Sequence, residues 1–180
     1  RTLNVKQVYK GGKLVAENGK MLHQKEKNTD WSTEIKERVF HSFHRVPITV
    51  EELQLKETTG THQRVIDMVA HELITKERIE EWKELPGVAP GVDISRDIVK
   101  LAAIERHKNT GHVGLGFLGK YGLKKGAVAT SIGHDSHNLV IAGVTDEDMV
   151  LAGNRVIENG GGLAIALEGK VLADLPLPIG

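Results

Sequence analysis

The chain has 180 residues, 39% of them hydrophobic and 27% charged, enough for one compact domain or one domain with an added segment. Its 24 basic and 24 acidic residues cancel, so no global field attracts nucleic acid or an acidic membrane surface. Cysteine is absent, which excludes disulfides, thiolate nucleophiles and cysteine-ligated zinc, suits a reducing cytoplasm, and leaves any metal to histidine and carboxylate.

No apolar stretch approaches the roughly 18 residues that span a bilayer, and RTLNVKQVYKGGKL has no signal-peptide core. Arg1 opens almost directly on a strand-like pattern and Gly180 follows an ordered-looking LPLPIG, so both ends read as cuts. From Val5 to Leu22 two short runs surround Gly11-Gly12 and Asn18-Gly19, dipeptides that allow the positive φ of tight hairpins, and a β-meander is expected. His23 to Thr33 is polar except for Trp31 and reads as a solvated connection, which places a domain boundary there. Glu34 to Pro47 is mixed. Thr49 with Glu52 has capping-box spacing for a short helical turn.

His62 to Trp82 carries Val65, Ile66, Met68, Val69, Leu73, Ile74 and Ile79, a pattern that suits two strands about as well as one amphipathic helix, and two strands are the expectation. PGVAPGVD at 86–93 is a loop by its Pro and Gly content, and DIVKLAAIERH is, by its own residues, ambiguous between helix and buried strand. AVATSIGHD and HNLVIAGV give two strands flanking His134 to Asn138. Thr145 caps a helix through Asn159, with three acids in its first turn and GGG at 160–162 as its stop. GLAIALEGKVLADLPLP closes as a hairpin around Glu168-Gly169. The class is α+β, mostly antiparallel or mixed sheet with few helices.

The densest polar cluster is His134, Asp135, Ser136, His137 and Asn138 between apolar flanks. At a strand junction Asp135 could orient a histidine while His134 or His137 shuttles a proton or ligates a metal. The alternative is a self-satisfied turn in which Asp135 and Asn138 bond nearby backbone N–H groups; the residues leave both open. His107 and His112 lie on one glycine-rich stretch and either converge with the cluster or are plain exposed loop histidines, the commoner case. GLGFLG at 114–119 has dinucleotide-fingerprint spacing, but HKNTG precedes it where a strand is needed and KYGLKKG follows where a helix is needed. A close-packed glycine strand is the expectation. HELIT at 71–75 has Thr75 where a zinc-protease helix needs its second histidine.

IGHDSHNLVIAG, Ile132 to Gly143, with TDEDMVLAGNRVIENGGGLAIALEGKVLADLPLPIG after it and ERHKNTGHVGLGFLGKYGLKKGAVATS before it, resembles the C-terminal region of bacterial adenine deaminases of the amidohydrolase superfamily. VKQVYKGGKLVAENGKML resembles the β-sandwich strands that flank an amidohydrolase barrel. The resemblance makes 1–33 a remnant of that sandwich with a linker and 34–180 the C-terminal domain, and it decides DIVKLAAIERH for strand. It implies hydrolysis of adenine to hypoxanthine and ammonia, and a divalent manganese or iron bound mainly by a barrel that is not in this sequence. No metal ligand is assigned to this chain, which alone is expected to be inactive; a cytoplasmic homo-oligomer is expected. His134, Asp135, His137 and Asn138 are the candidate catalytic residues. The rivals are a structural or oligomerisation domain with HDSHN as a buried corner, and a small-ligand binding module.

Overall fold

The computed structural model describes residues 4–22, 31–55 and 60–180, and it divides into Arg1–Lys36 and Glu37–Gly180. Most of the expected connection, residues 23–30, lies outside the described residues. In the first unit β1 (Gln7–Lys10), β2 (Lys13–Glu17) and β3 (Lys20–Met21) pair antiparallel in that order. Both turns use the expected dipeptides: Gly11 and Gly12 at φ 53° and 76°, Asn18 and Gly19 at 48° and 77°. Two successive left-handed residues match the right-handed twist of the strands they join.

The sequence offers no element for α1 (Thr33–Phe40), none of whose side chains is buried. A helix without a buried face leaves only a weak periodic signal; the cue is Ser32, whose hydroxyl accepts from the Ile35 N–H at 3.4 Å. Of the expected capping box, the Glu52 half forms, its carboxylate accepting from the Thr49 N–H at 3.0 Å, and Glu51–Leu53 make a single 3-10 turn.

The second unit is built on β4 (His62–Met68), β5 (Thr75–Glu81), β6 (Ile98–Ile104), β7 (Val113–Gly119), β8 (Ala127–Thr130), β9 (Leu139–Gly143), β10 (Gly162–Leu167) and β11 (Lys170–Pro176). They form one mixed sheet in the order β11-β10-β8-β9-β6-β7-β4-β5. Only β4 and β7 run parallel. The two-strand reading of 62–82 holds: Gln63, Val65 and Asp67 point inward in strict alternation.

Helix α2 (Asp146–Glu158) starts at Thr145, whose hydroxyl accepts from the Asp148 N–H. Its Met149, Ala152 and Val156 pack on Ala127, Ala129, Leu139, Ile141, Ala164 and Ala166. The alanines on β8 and β10 keep the sheet surface low enough for the helix to settle on it. Gly143 takes this furthest, since a Cβ there would come within 2.2 Å of the Met149 Cγ. On β6 the residues Lys100, Ala102 and Ile104, and Arg106 beyond its end, are all buried.

The 93–97 turn is held by charge. Asp93 is 3% exposed and accepts from the Ser95 hydroxyl at 2.5 Å and from Arg96 Nε at 2.7 Å. Arg96 also bonds Glu80, which bonds Arg78, which bonds Asp67. The Ser95 hydroxyl first, then Arg96, hold the Asp93 carboxyl down at about 2 against burial, which opposes them. A carboxyl depressed in the folded state stabilises it above the unfolded value of 3.8 and loses that contribution as pH falls toward 2. Stability is therefore expected to fall by on the order of 2 kcal/mol through that window, and Asp93→Asn to flatten it. Urea midpoints at pH 5, 4, 3 and 2 measure this; an unchanged slope in Asp93→Asn would refute it.

Candidate functional site

The HDSHN segment is the connection between β8 and β9, whose register ends at Thr130 opposite Val140. Its near end is tied down: the buried Ser131 donates its N–H to the Gly162 carbonyl at 2.9 Å, and its hydroxyl accepts from the Gly162 N–H at 2.8 Å. A single turn follows, closed by the His137 N–H on the Gly133 carbonyl at 3.1 Å, with His137 in the left-handed region at φ 50°. The His134 ring nitrogen Nδ1 lies 3.0 Å from Asp135 Oδ1, and these side chains are 83% and 91% exposed. His137 is exposed and Asn138 half-buried. HDSHN is thus no buried corner of this chain.

A second loop, between β6 and β7, holds this one from beside it. Glu105 organises that loop: its carboxylate accepts from the N–H groups of His107, Lys108 and Thr110 and from the Thr110 hydroxyl, at 2.5–2.9 Å. The Thr110 N–H leads the set of bonds that holds the Glu105 carboxyl at about 2. Arg106, 4% exposed, donates from Nε to the His137 carbonyl at 2.6 Å and from Nη2 to the Gly180 carbonyl at 3.3 Å. Its guanidinium stands 4.8 Å over the Phe43 ring. Burial lowers its pKa from the usual arginine value, and its Nη1 has no partner. His107 places Nε2 2.8 Å from the Ser136 carbonyl.

His107 therefore converges with the cluster. His112 does not join it: its N–H bonds Thr110, and it lines a separate hollow with Glu52, Gln54 and Leu55. The self-satisfied turn is also not what forms. Ser136 Oγ, not Asp135 or Asn138, accepts a local N–H, from Asn138 at 3.4 Å, and the Ser136 and His137 carbonyls are satisfied from the neighbouring loop. Glu105 and Arg106 are site residues the sequence reading missed. Strand parity was the available signal, since Arg106 falls two positions past the inward Ile104.

The arrangement fixes a backbone and leaves two imidazoles and a carboxylate projecting. Such groups can donate, accept and relay protons. They do not by themselves fit a metal: among the described residues no three His, Cys, Asp or Glu side chains are grouped to hold one. GLGFLG is β7, as expected of a glycine strand, and its crowded member is Gly119, where a Cβ would meet Asp67 Oδ1 at 2.1 Å. His71 and Glu72 sit in the turn between β4 and β5. No helix among the described residues is long and apolar enough to cross a membrane.

Fold and site together define an α+β domain that displays a His/Asp loop from the end of a mixed sheet, without enclosing a site around it. Residues 72–180 match the adenine deaminase C-terminal domain, and the chain belongs to that family. It is 40% identical over 180 residues to the adenine deaminase of Lysinibacillus sphaericus (strain C3-41), covering 99% of this chain and 30% of that protein. Adenine deaminase 1 of Carboxydothermus hydrogenoformans is 41% identical over 180 residues, covering 99% and 29%. The adenine deaminase of Kosmotoga olearia is 42% identical over 175 residues, covering 97% and 29%. The chain spans about 30% of the length of these curated relatives.

Proposed function

We propose that this chain is the C-terminal part of an enzyme that hydrolyses adenine to hypoxanthine and ammonia, and that the HDSHN loop completes a site built mainly by the rest of that enzyme. One observation carries the reading: within the family-matched region, His134 and Asp135 project into solvent from a turn whose Ser136 and His137 carbonyls are held by the neighbouring loop. In a solvated self-contained turn those side chains would have no reason to be presented on so well-held a frame. Asp135, 3.0 Å from His134 Nδ1, fixes the ring so that its far nitrogen serves one partner. His134 or His137 then hands a proton to the departing amine, and Asn138 helps hold the base. The manganese or iron expected for the reaction is assigned to the portion of the relatives outside this chain. The meander of β1, β2 and β3 is assigned to a sandwich completed by that portion, in a cytoplasmic homo-oligomer.

The test is a hybrid in which this chain replaces the matching C-terminal part of the Lysinibacillus enzyme, assayed by adenine-dependent ammonia release. His137→Ala and Asp135→Ala are expected to lower kcat about a hundredfold with an unchanged melting temperature, and the 180-residue chain alone to release no ammonia. Wild-type kinetics in both variants would overturn the reading. Loss of stability in place of turnover would favour a structural domain.

A further inference from the structure

The geometry points to Glu105, Arg106 and His107 as positioning residues for the reaction: a preorganised platform that sets where the HDSHN side chains stand. The inference rests on the proposed role of that loop and adds residues from a different loop to it.

The physical case begins with Arg106. Burying a guanidinium is costly unless an acidic side chain meets it, yet the hydrogen-bond partners of Arg106 among the described residues are the backbone oxygens of His137 and Gly180, and its Nη1 bonds nothing. Its shortest bond, 2.6 Å, goes to a neutral carbonyl of the site loop, that of His137. A charge-assisted bond to a neutral carbonyl is a poor way to stabilise a core, but it is a stiff way to hold one peptide in place. The peptide held is the one that follows the left-handed His137, a conformation that a residue with a Cβ keeps only where its surroundings impose it.

His107 repeats the device one residue along. Its Nε2, 2.8 Å from the Ser136 carbonyl, is placed to donate to it. Consecutive carbonyls, Ser136 and His137, are thus gripped by consecutive side chains, His107 and Arg106. Glu105 makes the grip rigid, because four donors of its own loop converge on its carboxylate. Displacing a reacting group by about 1 Å costs on the order of a hundredfold in rate, so a loop carrying proton-transfer groups gains from such clamping. None of the three platform residues needs to touch substrate.

The hybrid enzyme supplies the test. His107→Ala is expected to lower kcat about tenfold with KM nearly unchanged, and His107→Gln, whose side-chain amide restores a donor to the Ser136 carbonyl, to recover most of it. Glu105→Gln is expected to lower kcat in the same way by loosening both clamps. The melting temperature of the His107 variants should stay at the wild-type value, because His107 is exposed. Wild-type turnover in His107→Ala beside a disabled His137→Ala would overturn the platform and leave the loop's role standing. Wild-type turnover in both would remove both. A kcat loss that glutamine does not recover, or one that tracks a falling melting temperature, would make His107 merely structural and also overturn the inference.

Discussion

Lys100→Met is expected to lower the unfolding free energy by about 3–5 kcal/mol. Lys100 is 1% exposed and is the largest side chain among those that are fully buried. It lies in β6, and its ammonium bonds Asp146 Oδ1 at 2.7 Å, in the first turn of α2. Methionine keeps the apolar stem and removes the charge. Asp146, also buried, is then left without its cation, and an unpaired buried carboxylate costs more than the pair contributed. Lys100→Met combined with Asp146→Ala is expected to recover most of the loss. The residue of the cost is the helix-terminal acid, on the order of 0.3–1 kcal/mol.

Urea unfolding of wild type, both single variants and the double variant gives the coupling energy directly. The alternative is concrete, because a cavity of about 340 Å³ lined by Trp82, Lys100 and Asp146 adjoins the pair, room for several waters. A loss below about 1 kcal/mol in Lys100→Met would mean that these waters already solvate Asp146 and that the pair acts as an exposed one.

The same residue shows how far the sequence could be read. α2 was legible because its signals are local: the Thr145 cap, three acids and the glycine stop lie within one segment. The hairpins were legible for the same reason, each turn being written in its own dipeptide. The HDSHN junction followed from its two apolar flanks. Pairings across the chain were not legible. Nothing near Lys100 names Asp146, 46 positions on, and nothing near His107 names Ser136, 29 positions on. Those contacts depend on the order β8-β9-β6-β7, which no local pattern encodes. One long-range feature was nonetheless within reach. Lys100, Ala102, Ile104 and Arg106 fall on one strand parity, and two of the four are cations. A cation on the apolar face of a strand needs a partner, and the two partners turn out to be the helix start and the site loop.

Gly162→Ala is the second large effect, at on the order of 3–5 kcal/mol, combining backbone strain with overpacking. Gly162 has φ 128°, a conformation essentially closed to residues with a Cβ, and that Cβ would meet the Leu175 carbonyl oxygen at 2.1 Å and the Leu177 nitrogen at 3.0 Å. Both are backbone atoms of the β11 end, so no side chain can swing away. Gly160 provides the control: it is left-handed too, at φ 69°, but a Cβ there meets nothing within 4 Å, and Gly160→Ala is expected to cost only about 1–2 kcal/mol. Urea unfolding separates the two, and equal losses would mean that β11 yields to make room. The consequence also reaches the site, because Gly162 holds Ser131 through both its N–H and its carbonyl. Any backbone shift at Gly162 moves the first residue of the loop that carries His134 and His137. Hydrogen exchange at the Ser131 N–H is therefore expected to quicken in Gly162→Ala beyond the change shown by β6 and β9 amides, and to change no more than theirs in Gly160→Ala. Uniform quickening across all three would show that the substitution lowers global stability without releasing the loop.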